Sequence, residues 1–501
     1  MQVQEKPQHR RTSSALLRLF TAIYCIAITL ALLNYGAVDL LSVTLLAVPV
    51  FLLLAVSVIW IGVPGHRRAA MLAATLVPTL AFAWILLQTS AWPVAGDPAW
   101  RDVQTYVSGV TSAVSLTPAD DWASALRIAV PFGIFMLGLI LFDTDERATV
   151  ALKVLAVVGG VVSLLSILQF HFAPKTLLFG AKSAYFDSLS GFFVNRNTAA
   201  TYFGLMALMN YALCGRAAAG IEIRRLLAAV DQRRPLAPDQ RRQLWAAAGY
   251  GLLFLLTIIA LVLTKSRAGI VSSLAAIVLL TLFMSLRPAN RTTSQNLFAK
   301  TRLSKVRRVG VAILLSAALT FVFLSLAGRA LMRVDGTLGA RACVWPGMLS
   351  GVRDHLPWGS GMASFETVFA AYREPSCGIA GIWNRAHNVY LEGLFTFGAM
   401  FPVLAVGTLL LLFAIFKKGM TTRRRLRYAP EIGFASLLLI AFHSAFDFSL
   451  QITGIAVIYA VMLAPIVSIC LNLPGQTRVK RRRRRHGLPE GKRDTETIEL
   501  A

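Results

Sequence analysis

The chain has 501 residues, of which 56% are hydrophobic, and its mean hydropathy is +0.63. No soluble fold needs so much apolar surface, and repeated apolar runs of about 20 residues indicate a helical protein that crosses a membrane many times. The formal net charge of +26 would suggest nucleic acid as the partner of a soluble protein. Here basic loops on one side of the membrane explain that charge more simply, so we expect no nucleic-acid partner.

Twelve apolar spans are predicted, and together they make residues 17–472 an all-α polytopic membrane domain. They lie at about 17–36, 40–63, 69–88, 124–142, 150–171, 198–214, 246–264, 269–286, 310–327, 389–416, 431–449 and 452–472. A basic tail, residues 1–16, precedes the first span. No small-residue cleavage site is evident there, so we interpret the first span as a signal anchor.

Basic residues orient these spans. The loops and tails on the side of the N-terminus hold 36 Lys and Arg residues, and the loops on the other side hold 12. Because cytoplasmic loops are enriched in Lys and Arg, both termini are predicted to be cytoplasmic. The tail at 473–501 contains the run Lys480–Arg485, which we interpret as a topology anchor that attracts anionic membrane lipids.

Two outer segments are long, at 89–123 and 328–388. The second is predicted to form a small helical cap, with helices at 340–352 and 364–373 around a Pro/Gly turn. One face of the first helix is expected to carry its large apolar residues: Trp345, Met348, Leu349 and Val352. Cys343 and Cys377 are the cysteines of the outer loops, and they either form a disulfide bond or are buried thiols in the cap.

Several catalytic motifs are missing from the sequence. There is no P-loop, no GxGxxG after a strand and no HExxH, so ATP hydrolysis and nicotinamide chemistry are not expected. The cysteines lack metal-site spacing. Asp143-Thr144-Asp145 could hold a metal for a nucleotide sugar, but we interpret it as a charged turn between two spans.

What remains is a group of Arg, His and Asn residues at the outer ends of the spans. Arg196, Arg267, Arg341 and Arg385 can bind phosphate oxygens bidentately, as a diphosphate leaving group would require. His387 has a pKa range suited to accepting a proton from an attacking hydroxyl, and His443 is its rival. Asn195, Asn197 and Asn388 are expected to hold sugars or to orient these side chains.

The order and spacing of several elements resemble the O-antigen ligase and O-antigen polymerase superfamily. These elements are Asn195-Arg196-Asn197, Thr264–Gly269, Arg341 with Trp345, Leu356–Gly361 before Phe365, Ala386–Glu392 followed by Gly398, and His443–Asp447. The resemblance covers about 185–465. One departure is Ala268, because the serine–arginine element of the family usually continues with Gly.

This resemblance implies a GT-C-type glycosyltransferase of the bacterial inner membrane that works on the periplasmic side. Such enzymes transfer a glycan from undecaprenyl diphosphate to lipid A-core or to another lipid-linked glycan. They need no metal, cofactor or nucleotide sugar. Carried over by position, Arg196 and Arg267 would bind the diphosphate, and His387 would activate the acceptor hydroxyl.

Two other classes of protein stay open. A polysaccharide or lipid-linked glycan exporter is the main alternative, although the predicted spans hold few ionisable groups near the bilayer midplane. The other is a GT-C enzyme that uses a lipid monophosphate sugar. Such an enzyme would need an acid on an early outer loop, where Asp39 is the candidate.

Overall fold

The structure, a computed structural model, describes residues 14–91, 96–287, 310, 337–374, 376 and 382–472. Within this part of the chain the regular secondary structure is almost entirely helical. Its one sheet is a hairpin of two short strands, β1 Thr176–Leu177 and β2 Gly180–Ala181. Some predictions lie outside the described residues: the span at 310–327, the start of the 328–388 loop, Cys377 and the tail at 473–501.

Sixteen α-helices are described in these ranges. They are α1 Ser14–Leu33, α2 Leu40–Trp60, α3 Arg68–Thr89, α4 Ala99–Tyr106, α5 Pro118–Leu141, α6 Asp145–Phe172, α7 Arg196–Ala218, α8 Ile223–Asp231, α9 Pro238–Leu263, α10 Arg267–Ser285, α11 Thr337–His355, α12 Phe365–Phe369, α13 Val389–Phe397, α14 Met400–Thr422, α15 Tyr428–Ser444 and α16 Thr453–Leu471. Short 3-10 turns lie at Gly65–Arg67, Ala370–Tyr372, Arg424–Leu426 and Ser449–Gln451.

Nine of the described helices are long and apolar enough to span a membrane. They are α1, α2, α3 with the turn before it, α5, α6, α9, α10, α14 and α16. This confirms the predicted all-α polytopic membrane protein. Nine of the twelve predicted spans correspond to these helices, and the span at 310–327 lies outside the described residues. Two predicted spans, at 198–214 and 431–449, correspond to α7 and α15, which are not among the nine. Helix α15 has 17 residues, at the lower end of the usual length of a membrane span.

Helix α7 lies at the centre of the bundle, which explains its moderate hydropathy. Nearly every residue from Thr198 to Leu213 is buried, and the helix packs against α6, α9, α10 and α15. A helix shielded from lipid can carry polar side chains if they find partners. Asn210 does so, because its side-chain amide donates to the carbonyls of Ala156 (3.1 Å) and Met206 (3.0 Å).

The span predicted at 389–416 is two helices, so that prediction is corrected. Helix α13 ends at Gly398, whose φ is +56°, and α14 begins at Met400. The backbone of Gly398 lies directly against the loop at Pro357 and Gly359, and a side-chain carbon at either glycine would overlap main-chain atoms. The close approach therefore requires glycine at both positions. This contact also packs the Pro/Gly turn against the break between α13 and α14.

The predicted cap is present as α11, α12 and the turn Ala370–Tyr372, packed on α13. The buried side of α11 differs from the prediction, since it carries Val344, Met348 and Val352, whereas Trp345 and Leu349 are exposed. Residues four apart form a continuous stripe on a helix, and the next residue points about 100° away. The prediction thus had Met348 and Val352 right and Trp345 and Leu349 wrong.

Cys343, on α11, is disulfide-bonded, whereas the described cysteines Cys25, Cys214 and Cys470 are free. Cys377, the predicted partner of Cys343, lies outside the described residues, so the pairing itself stays a prediction.

An ion pair between His355 and Asp97 ties the cap to the segment before α5, with 3.5 Å between Nε2 and Oδ2. Burial alone would lower the pKa of His355, but the hydrogen bonds to Asp97 and to the Gly351 carbonyl outweigh burial and raise it. The hydrogen bond from His355 lowers the pKa of Asp97. The pair is therefore ionised and attractive in mildly acidic solution.

We expect hydrogen-exchange protection of residues 96–117, relative to the intrinsic exchange rate at each pH, to be greater near about pH 6 than near about pH 9. The raised pKa of His355 contributes stability below its unfolded value of about 6.5, and that stability is lost as the pH rises through the folded pKa. Asp97 contributes above its unfolded value of about 3.9. Exchange–mass spectrometry at both pH values is the measurement. The same protection in wild type and in His355→Gln would contradict this account.

At the opposite end of the bundle, a polar network joins four turns. Buried Arg67 donates to the Asp143 carbonyl and to the Asn472 side chain, both at 2.7 Å. Asn472 donates to Asp145 at 2.9 Å, and Asp145 also pairs with Arg423. Both aspartates of the DxD sequence therefore serve this junction, as a charged turn would.

Topology is testable independently of mechanism. Alkaline phosphatase fused within 89–123 or 328–388 is expected to be active, because these loops are predicted to be outside, and a fusion within 215–245 is expected to be inactive. Colony phosphatase activity, normalised to fusion abundance, is the measurement. Activity at 215–245 would reverse the orientation.

Candidate active site

Three helices begin close together at one end of the bundle. This end, called the site face, carries residues 173–195, 264–266, 385–388 and 445–452. Each helix has a side-chain cap: Asn195 accepts from the Asn197 amide (2.7 Å), Ser266 from Gly269 (3.2 Å) and Asn388 from Tyr390 (3.0 Å). These caps begin α7, α10 and α13, whose free amide groups and dipoles favour an anion.

Side-chain hydrogen bonds connect these helix starts. Asn197 accepts from the Ser266 hydroxyl at 2.8 Å and donates to Asp447 at 2.9 Å. The same Asp447 oxygen lies 3.5 Å from Nδ1 of His387. Elements far apart in sequence therefore meet at one carboxylate. Arg196 and Arg267 are the first residues of α7 and α10, next to this junction.

Asp447 is the centre of this network, and it is fully buried. It follows α15 and accepts a hydrogen bond from Ser449 as well as from Asn197. Burial opposes its ionisation, but the hydrogen bond with His387 and the charge of His443 hold the pKa of Asp447 below its usual range. A carboxylate charge thus faces His387.

His387 is positioned by aromatic contacts and by its backbone. Its ring meets Phe448 and Trp383 edge to face, with centroids 4.9 Å and 5.9 Å away. Its φ is +52°, a left-handed conformation that costs a residue with a side chain about 1 kcal/mol or more and persists where contacts hold it. The side chain remains 25% exposed. A substrate can therefore reach it.

His443, the rival histidine, occupies a different environment. It is 2% exposed, and its Nδ1 lies 2.6 Å from the Thr201 hydroxyl. A buried imidazole packed among helices cannot approach a sugar hydroxyl without a large movement. The geometry therefore fits His387 better than His443 to the predicted role of base.

Buried Glu392 holds the loop in front of His387. Its carboxylate accepts from Arg385 at 2.9 Å and from the Ala386 amide at 2.7 Å. The structure pairs Arg385, two residues before His387 in the sequence, with Glu392, and it brings Asp447 next to His387. Substrate binding by Arg385 stays a prediction.

The remaining predicted site residues lie in different surroundings. Arg196 lies over the ring of Tyr185, with 5.3 Å from its guanidinium carbon to the ring centroid. Asn195 and Asn388 cap helices, so their side-chain oxygens are already engaged. Arg341 lies on α11, and its side chain lies outside the described part of the structure.

Two residues that connect the helix starts were absent from the predicted site: Asp447 and Ser266. The sequence carried a signal for each, because both lie in elements that resemble the family, His443–Asp447 and Thr264–Gly269. The contacts that define their roles join residues 60 and 69 positions apart, Asp447 with His387 and Ser266 with Asn197. No local pattern encodes such contacts.

Comparison with known proteins identifies the region that contains most of this site. Residues 252–406 match the model of a protein family described as O-Antigen ligase, about a third of the chain. The match includes Arg267, Arg385 and His387, while Arg196 and Asp447 lie outside it. No curated protein matches the chain significantly. The family match supports the resemblance that the motifs predicted, because residues 252–406 are similar to the O-antigen ligase family.

Proposed function

We propose that this membrane glycosyltransferase moves a glycan from undecaprenyl diphosphate to lipid A-core or to another lipid-linked glycan, at the periplasmic face of the bacterial inner membrane. The observation that carries the proposal is the pairing of His387 with buried Asp447 beside the starts of α7 and α10. The family match supports the same class of enzyme. The three-to-one excess of basic residues on the opposite side supports the orientation.

The donor diphosphate would bind where α7 and α10 begin. Two helix N-termini offer backbone amides and the positive ends of their dipoles, and the first residue of each helix is an arginine, Arg196 or Arg267. Guanidinium groups bind phosphate oxygens in pairs and keep their charge at every physiological pH. They would stabilise the negative charge that the diphosphate gains as it leaves.

In the chemical step, an acceptor hydroxyl attacks the anomeric carbon of the donor sugar. The bond from that carbon to the diphosphate oxygen breaks, and its electron pair leaves with the diphosphate. The hydroxyl proton passes to His387. If Nδ1–H of the imidazole faces Asp447, Nε2 is the atom that takes the proton, and the carboxylate stabilises the imidazolium that forms.

Asp447→Asn is expected to reduce transfer by about 10²- to 10⁴-fold, because the amide keeps the shape but removes the charge that orients and stabilises His387. Donor binding should change little. Transfer by the purified variant and its membrane abundance are the measurements. Asp102→Asn, an exposed aspartate on α4, is the matched control. Wild-type transfer by Asp447→Asn would remove this carboxylate from the mechanism.

The biological reaction is tested by the lipopolysaccharide and exopolysaccharide profile of a deletion strain. Polymer missing from lipid A-core indicates a ligase, and core capped with one repeat indicates an O-antigen polymerase. Loss of a secreted polysaccharide alone indicates exopolysaccharide polymerisation. Full restoration of the profile by His387→Ala would remove His387 from the reaction.

A further inference from the structure

The cap contains a half-open cavity of about 260 Å³ that the proposed reaction does not use. It lies between α12, the turn that follows it and residues 382–383. Its walls include Glu366, Thr367, Arg373, Ile382 and Trp383. The volume is below the roughly 300–1,000 Å³ of clefts that take drug-sized ligands, and it suits a single small ring.

The chemistry of these walls matches a sugar ring. Trp383 offers an apolar aromatic surface, against which the C–H face of a pyranose can pack. Glu366 offers two carboxylate oxygens that accept from neighbouring hydroxyls, Thr367 adds a hydroxyl, and Arg373 supplies donors. These side chains can exchange hydrogen bonds with the hydroxyls of a sugar, which a purely apolar ligand lacks.

Trp383 connects this cavity to the candidate active site. Its ring lines the cavity and packs against Phe369 beneath it, with centroids 6.4 Å apart. The same ring meets His387 edge to face at 5.9 Å. A sugar in the cavity would therefore be separated from His387 by one indole ring, close to where the reacting sugar must lie.

We propose that this cavity is a carbohydrate subsite that binds one pyranose of a substrate glycan, adjacent to the residue that reacts. The inference rests on the proposed function, because it takes a glycan as the substrate. The pyranose belongs either to the donor glycan or to the acceptor, and the chemistry of recognition is the same. The subsite would hold the chain in register with His387 and would select among glycans.

Direct binding is the first test. Purified full-length protein in lipid nanodiscs is mixed with the methyl glycosides of glucose, galactose, mannose, rhamnose, N-acetylglucosamine and glucuronic acid. Saturation-transfer NMR then reports contact. At least one glycoside should give a signal, and Glu366→Gln should weaken its binding about tenfold by removing a charged acceptor. Glu374→Gln, an exposed glutamate outside the cavity walls, is the matched control and should bind normally.

Kinetic measurements then show whether the bound sugar belongs to the donor glycan or to the acceptor. Glu366→Gln should raise the KM for either the donor or the acceptor about tenfold, with kcat nearly unchanged, and the substrate affected identifies the glycan that occupies the subsite. Variants are compared only where size-exclusion chromatography shows that they are as monodisperse as the wild type. A lowered kcat with both KM values unchanged would overturn the subsite.

The outcomes distinguish this inference from the proposed function. If His387→Ala binds the glycoside like the wild type but transfers nothing, both stand. If no glycoside binds, or if Glu366→Gln and Glu374→Gln bind it equally, the subsite is wrong even when transfer is normal. If a glycoside binds in a Glu366-dependent way but the wild type transfers no glycan, the proposed function is wrong and the cavity remains a sugar site.

Discussion

Replacing His387 with alanine should abolish glycan transfer while the donor still binds. A general base contributes about 10²- to 10⁴-fold to the rate, and here His387 is the partly exposed imidazole beside buried Asp447. The change removes the proton acceptor without touching the helix starts proposed to hold the diphosphate. Transfer and donor binding are measured on the same purified sample, in order to separate chemistry from binding.

His171→Ala is the matched control, since His171 is exposed at the end of α6 on the same face and outside the site. It should transfer normally. If His387→Ala loses donor binding together with transfer, His387 is a phosphate ligand and not the base. If transfer is retained, the chemistry lies elsewhere, and His443 becomes the next residue to replace.

Replacing Arg196 or Arg267 should impair donor binding. We expect alanine at either position to remove nearly all transfer, because a hydrogen bond to a charged group contributes about 1.5–3 kcal/mol and each guanidinium can form two. Lysine keeps the charge but loses the planar fork, so most activity should still be lost. The dissociation constant for the lipid-diphosphate donor is the measurement.

Arg101→Lys, on the exposed helix α4, is the control for these two arginine positions and should bind the donor like the wild type. Full activity in Arg196→Ala would exclude Arg196 from the site. Weakened binding in the Arg267 variants alone would place the diphosphate at the start of α10 and not between α7 and α10.

The helical architecture and the helix starts at the candidate site were predictable from sequence, because both depend on local patterns. Apolar runs locate the helices, and an Asn or Ser before a run marks a helix start, as at Asn195, Ser266 and Asn388. The break at Gly398 was missed because the apolar run continues through it. It depends on the distant loop at Pro357, which no local pattern reveals.

The electrostatics of the site were less predictable. In the sequence, Arg385 is the charged residue nearest to His387. In the structure, Arg385 pairs with Glu392, and the carboxylate next to His387 belongs to Asp447, which follows α15. Both contacts depend on how helix ends pack in space. The buried side of α11 was predicted only in part for the same reason. Large apolar residues lie on two faces of this helix, and the position of the neighbouring helix decides which face is buried.

The central claim is that this chain breaks the sugar–diphosphate bond of a lipid-linked glycan and passes the glycan to an acceptor hydroxyl. The direct measurement reconstitutes the purified chain in proteoliposomes with an undecaprenyl-diphosphate-linked glycan and an acceptor, with EDTA and without nucleotide sugar. The account predicts glycosylated acceptor and released undecaprenyl diphosphate in equal amounts, with neither formed by His387→Ala. An intact donor that only moves between leaflets, or a donor hydrolysed without transfer, would contradict it.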